Sequence, residues 1–487
     1  MTAAPKTSRA ALQILFGQGS TQVLSFLRNL LIARLVSIED FGVAATFALT
    51  ISILQVISDL SWDKMLVQSP NGDDPEMQST IQLMVVTRGA LMALTIFLLA
   101  DEFATFFGAP EAAWAYQIIA LTPLIRGFDH LDFKRAHRRL DFSLEAQINI
   151  VSQLGGLAGA AVGIVLFVDY RAMLTSILAQ ALVYTFVSHA RASRPYRVTF
   201  SKPTFVAGFS FGWPLALNSV IFFLATQGDR LVVGGWLGTE SLALYTSIIL
   251  IQGAVLTLLM SVLGNIGLST LSHAKNTNGE FSETCSRLCV YFNTVTVVIF
   301  IPLIFVCYYV VIFAFGERYQ SSFEVCAVLV VGAGINLLRA FPITVQLALG
   351  RTKQILLSNV VRTSGFFAAL IAVQLGEKLS VVALCMVLGE ILAVISAFLV
   401  LSRSGGAGSN KDCAYITAIS SSLLVASAML AIYLPGGFLL HATSGVLVSM
   451  FALAGLSLLS RTTRSVLHRL AKQTPIAFSK IADRFAR

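Results

Sequence analysis

Charged side chains interrupt long apolar runs at Arg28, Arg88, Arg126, Arg339 and Arg362, and at Asp59, Asp63 and Glu390. Inserting a charge into such a run costs about 2.5–3.5 kcal/mol, so the group faces a cavity or a partner. Guanidinium keeps its charge and grips phosphate with two parallel hydrogen bonds. Arg28, Arg88, Arg339 and Arg362 are therefore candidate contacts for an anionic substrate. The competing reading is structural pairing: Arg28 with Asp229 or Asp59, Arg88 with Asp63, Arg126 with Asp129. Asp59 and Asp63 are four apart, which on a continuous helix puts them on one face. Together with Glu390 they are the candidate carriers of a coupling ion. Glu390 lies mid-run and is either a proton carrier or an arginine-paired structural carboxylate.

Other chemistry has no motif to rest on. The chain has no GxxxxGK[ST], no HExxH and no GxSxG, so nucleotide hydrolysis, zinc hydrolysis and a nucleophile elbow lose their signatures. Cys285 and Cys289 share a helix face without a nearby His, which makes a poor metal site. No catalytic residue, cofactor or metal is expected.

The runs themselves set the class. Of 487 residues, 56 % are hydrophobic and only 12 % charged, against about 25 % charged in soluble proteins. Mean hydropathy is +0.78. A soluble enzyme, a disordered chain and a coiled coil are excluded. The net charge of +9 would fit nucleic acid only if a basic, aromatic-interleaved soluble domain carried it, and none does; no nucleic-acid partner is expected. Instead Lys and Arg collect in alternate loops. Lys134, Arg135, Arg138 and Arg139, then Arg191, Arg194, Arg197 and Lys202, fall on one side; the other side holds Arg34, Arg171, Arg230, Arg318 and Lys378. The positive-inside rule then puts both termini in the cytoplasm.

An all-α polytopic membrane protein follows, with about fourteen spans of roughly 20 residues each. The first reads Leu12–Leu35, the second Phe41–Met65, the fourth Trp114–Lys134 and the eleventh Gln354–Leu375. Arg34–Thr46 and Gly235–Ser247 share a short acidic loop before an apolar start, Glu39 matching Glu240. This faint repeat implies two pseudo-symmetric six-helix lobes, residues 1–200 and 201–405. Two further helices occupy 406–460, and a basic tail occupies 461–487. Such repeats place substrates between them. In the tail, Ile476, Phe478, Ile481 and Phe485 interleave with Lys480, Arg484 and Arg487. It reads as an amphipathic helix on the inner membrane surface or as a frayed basic end. Pro123, Pro214, Pro302 and Pro342 should bend their spans, and Gly155, Gly159 and Gly163 should pack a neighbour closely.

The outer loops are short and leave no room for a catalytic domain, which argues against a membrane polymerase or ligase. The run LFGQGSTQVLSFLRNLLIARLVSIEDFGVAATFALTISILQVISDLSWDKMLVQSP, Leu15 to Pro70, resembles bacterial polysaccharide exporters and oligosaccharide flippases. The carrying residues are the Arg34-Leu35 exit, Glu39-Asp40-Phe41-Gly42, Asp59, and Leu66-Val67-Gln68. Gly212 to Ser247, with Pro214 and Asp229-Arg230, is similar to the start of that family's second lobe, and Gly350-Arg351 also fits. The superfamily also holds multidrug antiporters and the lipid II flippase.

The resemblance implies two lobes opening alternately and arginines binding the pyrophosphate of an undecaprenyl-linked oligosaccharide, with Arg28, Arg88, Arg339 and Arg362 the candidates here. The expected function is flipping such a lipid across the bacterial inner membrane for exopolysaccharide or lipopolysaccharide synthesis, without enzymatic activity. Expected partners are the lipid-linked oligosaccharide, membrane lipids and a polysaccharide polymerase or export machinery. An ion-coupled multidrug antiporter of the same fold is the competing reading.

Overall fold

The computed structural model describes residues 4–275, 280–403 and 411–459. Every regular element among the described residues is helical. Among the described residues, twelve helices are long and apolar enough to cross a membrane. The remaining two expected spans are helical as well, each with a physical reason for standing apart. Leu12–Leu35 lies within the unbroken 32-residue helix Ala4–Leu35, but Gln13, Gln18, Gln22, Arg28 and Asn29 dilute its apolar character. Trp114–Lys134 is cut into Ala113–Ile119, Leu121–Gly127 and the start of Phe133–Arg138. Pro123 explains the first break, because a proline ring clashes with the carbonyl four residues earlier, and that residue is Ile119. Pro214, Pro302 and Pro342 are instead held inside the continuous helices Lys202–Trp236, Glu280–Phe315 and Phe323–Ala348. The basic tail 461–487 lies outside the described residues.

Two expected spans change shape. The second ends at Ser58, not Met65. Asp59 caps it, its Oδ1 accepting the Ser61 N–H at 2.9 Å. Ser61 adopts φ 50°, a left-handed conformation that a non-glycine residue rarely holds. A separate short helix, Trp62–Gln68, then begins in a new direction. The eleventh span divides into Thr352–Arg362 and Ser364–Gln374.

The chain divides into two compact units: 1–250 with 312–319, and 251–311 with 320–487. In the first, Phe41, Phe47, Phe107 and Tyr116 form fully buried packing. Phe47 meets Tyr116 edge to face at 5.1 Å, and the Tyr116 hydroxyl lies 2.6 Å from Thr46 Oγ1. The two similar loops of the faint repeat touch each other here. A Cβ on Gly42 would lie 2.0 Å from the Thr239 carbonyl oxygen. The Gly155, Gly159 and Gly163 stripe of Ser143–Phe167 lies against Arg171–Ala190, as its spacing predicts. A Cβ on Gly159 would stand 2.6 Å from Ala179 Cβ and 2.8 Å from the Thr175 carbonyl oxygen. In the second unit Phe323–Ala348 is the most enclosed span. Its Phe341 and Val345 pack with Cys285, Cys289, Phe292 and Cys413.

Gly159→Ala should therefore lower stability by about 1–3 kcal/mol, the usual cost of overpacking. Gly264→Ala, whose added methyl meets nothing within 4 Å, should be neutral. Thermal unfolding of the purified protein in detergent checks both; equal shifts would contradict the packing described.

Candidate functional site

The first unit encloses a cavity of about 490 Å³. Its polar lining is built from helix ends and close helix crossings. The helix stops at Ser58 and restarts at Trp62, so Asp59 and Asp63 line the cavity from two separate elements, the cap of one and the first turn of the next. Trp62 anchors the new helix by donating its indole N–H to the Gly208 carbonyl at 3.2 Å. Across the cavity, Pro75–Leu98 and Leu121–Gly127 approach until a Cβ on Gly89 would be 2.5 Å from the Pro123 carbonyl oxygen. That crossing sets Arg88 and Arg126 on the same wall.

Three ion pairs line the space. Arg88 Nη1 meets Asp59 Oδ1 at 3.1 Å, so its partner is Asp59 rather than the expected Asp63. Asp63 pairs instead with Lys134 Nζ at 3.0 Å, and that ammonium also lies 3.4 Å from Glu145 Oε1. Arg126 Nε donates to Asp129 Oδ2 at 2.6 Å, the pairing its sequence position allowed, and its guanidinium lies 3.5 Å from the Tyr184 ring centre. Asp129 also accepts the Thr185 hydroxyl at 2.6 Å. Three lining carboxylates thus face three lining cations, with Glu145, outside the lining, a second partner of Lys134. Arg28 also lies outside the lining. Its Nη1 donates to the amide oxygen of Gln180, which lines the cavity. No carboxylate lies within 4 Å of Arg28 among the described residues, and its Nε has no hydrogen-bond partner. Asp229, a suggested partner, accepts the Tyr245 hydroxyl at 2.9 Å instead.

The pairs differ in exchangeability. Arg88 and Asp59 keep 24 % and 33 % of their side-chain surface exposed. A solvated pair of this kind contributes roughly 0–1 kcal/mol, so an incoming anion can displace the carboxylate cheaply. Asp129 is only 9 % exposed and would be left nearly buried without its arginine, which is costly.

Arg339, Arg362 and Glu390 lie in the second unit and meet one another. Arg339 Nε lies 3.4 Å from Glu390 Oε2, and Arg362 Nη2 contacts Glu390 Oε1. The sequence-predicted residues therefore form two groups, Arg28, Arg88, Asp59 and Asp63 in one unit and the triad in the other. Lys134, Gln180 and Tyr184 belong to the first group without having been singled out. Lys134 read as a topology-setting loop charge, and neither a glutamine nor a tyrosine in a span signals a cavity by type alone.

Residues 31–324 match a family described as polysaccharide biosynthesis protein. The succinoglycan biosynthesis transport protein ExoT of Rhizobium meliloti (strain 1021) is 25 % identical over 225 residues, 46 % of this chain and 45 % of that protein. The matched stretch thus spans less than half of that relative's length. Among solved structures, the lipid II flippase MurJ in an inward closed conformation superposes with TM-score 0.68 at 14 % identity, covering 91 % of this chain and 99 % of that one. An inward-facing multidrug resistance transporter of the MATE family and MOP superfamily gives 0.65 at 14 %, covering 81 % and 100 %. At these identities the likeness is one of fold.

The burial difference sets an order of effects. Arg126→Ala should destabilise by about 2–4 kcal/mol, since it strands a nearly buried carboxylate, and Asp129→Asn added to it should recover part of the loss. Arg88→Ala should cost no more than about 1 kcal/mol. Unfolding midpoints of the three variants test this; Arg88→Ala costing as much as Arg126→Ala would contradict it.

Proposed function

The chain belongs to the polysaccharide biosynthesis protein family, and from that premise we propose that it flips an undecaprenyl-pyrophosphate-linked oligosaccharide across the bacterial inner membrane. The product would feed exopolysaccharide or lipopolysaccharide synthesis. One observation carries the reading: an ion-pair-lined cavity of about 490 Å³ inside an apolar bundle, with Arg28 just outside its lining, bonded to the lining residue Gln180 and without a carboxylate within 4 Å among the described residues. Such a cavity suits a polar head group that must cross while its lipid tail stays outside. Arg28 and Arg88 hold the pyrophosphate in this reading, Arg88 exchanging Asp59 for a phosphate oxygen. A phosphate can take two parallel charge-assisted hydrogen bonds from the guanidinium, where Asp59 takes a single contact.

Asp59 and Asp63 face the cavity and carry the coupling ion. Protonating Asp59 frees Arg88 for the substrate, which ties ion binding to substrate binding through one contact. Glu390, held between Arg339 and Arg362, is set apart from this exchange. The relatives are transporters by name, and the chain acts as a transporter rather than an enzyme. In this reading residues 1–200 and 201–405 are the two lobes, both termini are cytoplasmic, and a polysaccharide polymerase or export machinery receives the flipped lipid.

The three carboxylates on the wall favour a second reading, an ion-coupled antiporter for lipophilic cations. Proteoliposomes separate the two. Purified protein should make a lipid-pyrophosphate-linked oligosaccharide accessible to an outside label. Arg28→Glu with Arg88→Glu should reduce the rate at least tenfold while the protein still folds. Flipping unaffected by the double reversal would remove the anion cavity. No flipping, combined with growth on toxic cations that depends on Asp59, would establish the antiporter.

A further inference from the structure

Arg339, Glu390 and Arg362 lie near the middle of the helical segments Phe323–Ala348, Leu379–Arg403 and Thr352–Gln374. Their relative exposures are 4 %, 6 % and 7 %. The backbone forces the meeting. A Cβ on Gly389 would lie 2.8 Å from the Arg362 carbonyl oxygen and 2.8 Å from Gly365 Cα. Only a glycine pair at 365 and 389 lets the two helices come this close, and the residue after Gly389 is Glu390. Arg339 Nη1 donates to Asn359 Oδ1 at 3.2 Å. The Nε atoms of Arg339 and Arg362 are buried and have no hydrogen-bond partner, and Glu390 Oε2, 3.4 Å from Arg339 Nε, is buried without one too.

Two guanidiniums thus share one carboxylate. No other acidic group lies within 4 Å of either arginine among the described residues. A whole positive charge left in hydrocarbon is among the costliest arrangements a membrane protein can hold. Water could fill the Nε donors, yet it cannot cancel the charge.

We propose that the Arg339–Glu390–Arg362 cluster binds one small monovalent anion of the halide class, the counter-charge that makes the buried triad neutral. Monovalence follows from the count, since a second negative charge would restore an imbalance of opposite sign. Small size follows from the close helix crossing at Gly365 and Gly389. The site is separate from the cavity of the first unit, and the inference stands whatever that cavity carries.

The test is retention of radiolabelled chloride by the purified full-length protein in detergent, at fixed sodium with gluconate as the replacing anion. Saturable binding near one chloride per chain is expected, displaced by bromide and not by sulfate. Arg362→Gln and Arg339→Gln each leave a neutral pair and should lose it. Glu390→Gln leaves two uncompensated cations and should tighten it at least several-fold. That opposite sign keeps the test decisive if an arginine variant cannot be purified. No saturable retention by the unaltered protein would overturn the assignment, as would retention unchanged in both arginine variants. Displacement by sulfate as readily as by bromide would also overturn it, in favour of a phosphate-type site.

Discussion

A charge inside hydrocarbon must meet an opposite charge or reach water, and most of the functional geometry of this chain follows from that constraint. Arg88, Arg126 and Lys134 each take a carboxylate partner, and all three pairs open on one cavity. Where no carboxylate is at hand, as for Arg28, a glutamine amide substitutes and the positive charge is left uncancelled. The cavity and its ion pairs are therefore one feature. Removing the water would turn each pair into a buried ion pair whose desolvation cost can exceed its attraction.

Glycine contacts translate this electrostatic requirement into backbone. Gly89 against Pro123 and Gly127 brings Arg88 and Arg126 to one wall, and Gly365 against Gly389 brings Glu390 to Arg362. In lipid no hydrophobic force draws helices together, so small residues that let backbones approach supply much of the packing. Here they also decide which charges meet. A larger residue at Gly89 would separate helices and would move Arg88 relative to Asp59 in the same step.

The class of the protein, its helices and the candidate charges were legible in the sequence, because insertion cost makes each intramembrane charge conspicuous. The pairing was legible only in part. Arg126 with Asp129 is local, three residues apart, and could be read directly. Arg88 with Asp59 could not, because it depends on where the second helix stops. That stop has no proline or glycine to announce it; it rests on Asp59 capping Ser61 and on a left-handed serine. Assuming a continuous helix to Met65 put Asp59 and Asp63 on one face and sent Arg88 to the wrong partner. Pro123 was visible as a bend, but its effect was to cut the fourth span at Ile119. The paired loops at Arg34–Thr46 and Gly235–Ser247 were visible as a faint repeat, whereas their contact through Gly42 and Thr239 is tertiary and left no mark in composition.

The two charge clusters obey the same constraint and end with opposite properties, and exposure is what separates them. Arg88 and Asp59 are a quarter to a third exposed, so water screens their attraction and the contact can break at little cost. Arg339, Arg362 and Glu390 are almost wholly enclosed. Removing Glu390 leaves two buried guanidiniums without a carboxylate, which costs several kcal/mol. A cycling transporter requires contacts that break and re-form on every turn, and only the exposed pairs can do so without that penalty. The enclosed triad is suited to the reverse task, holding its helices in a fixed register.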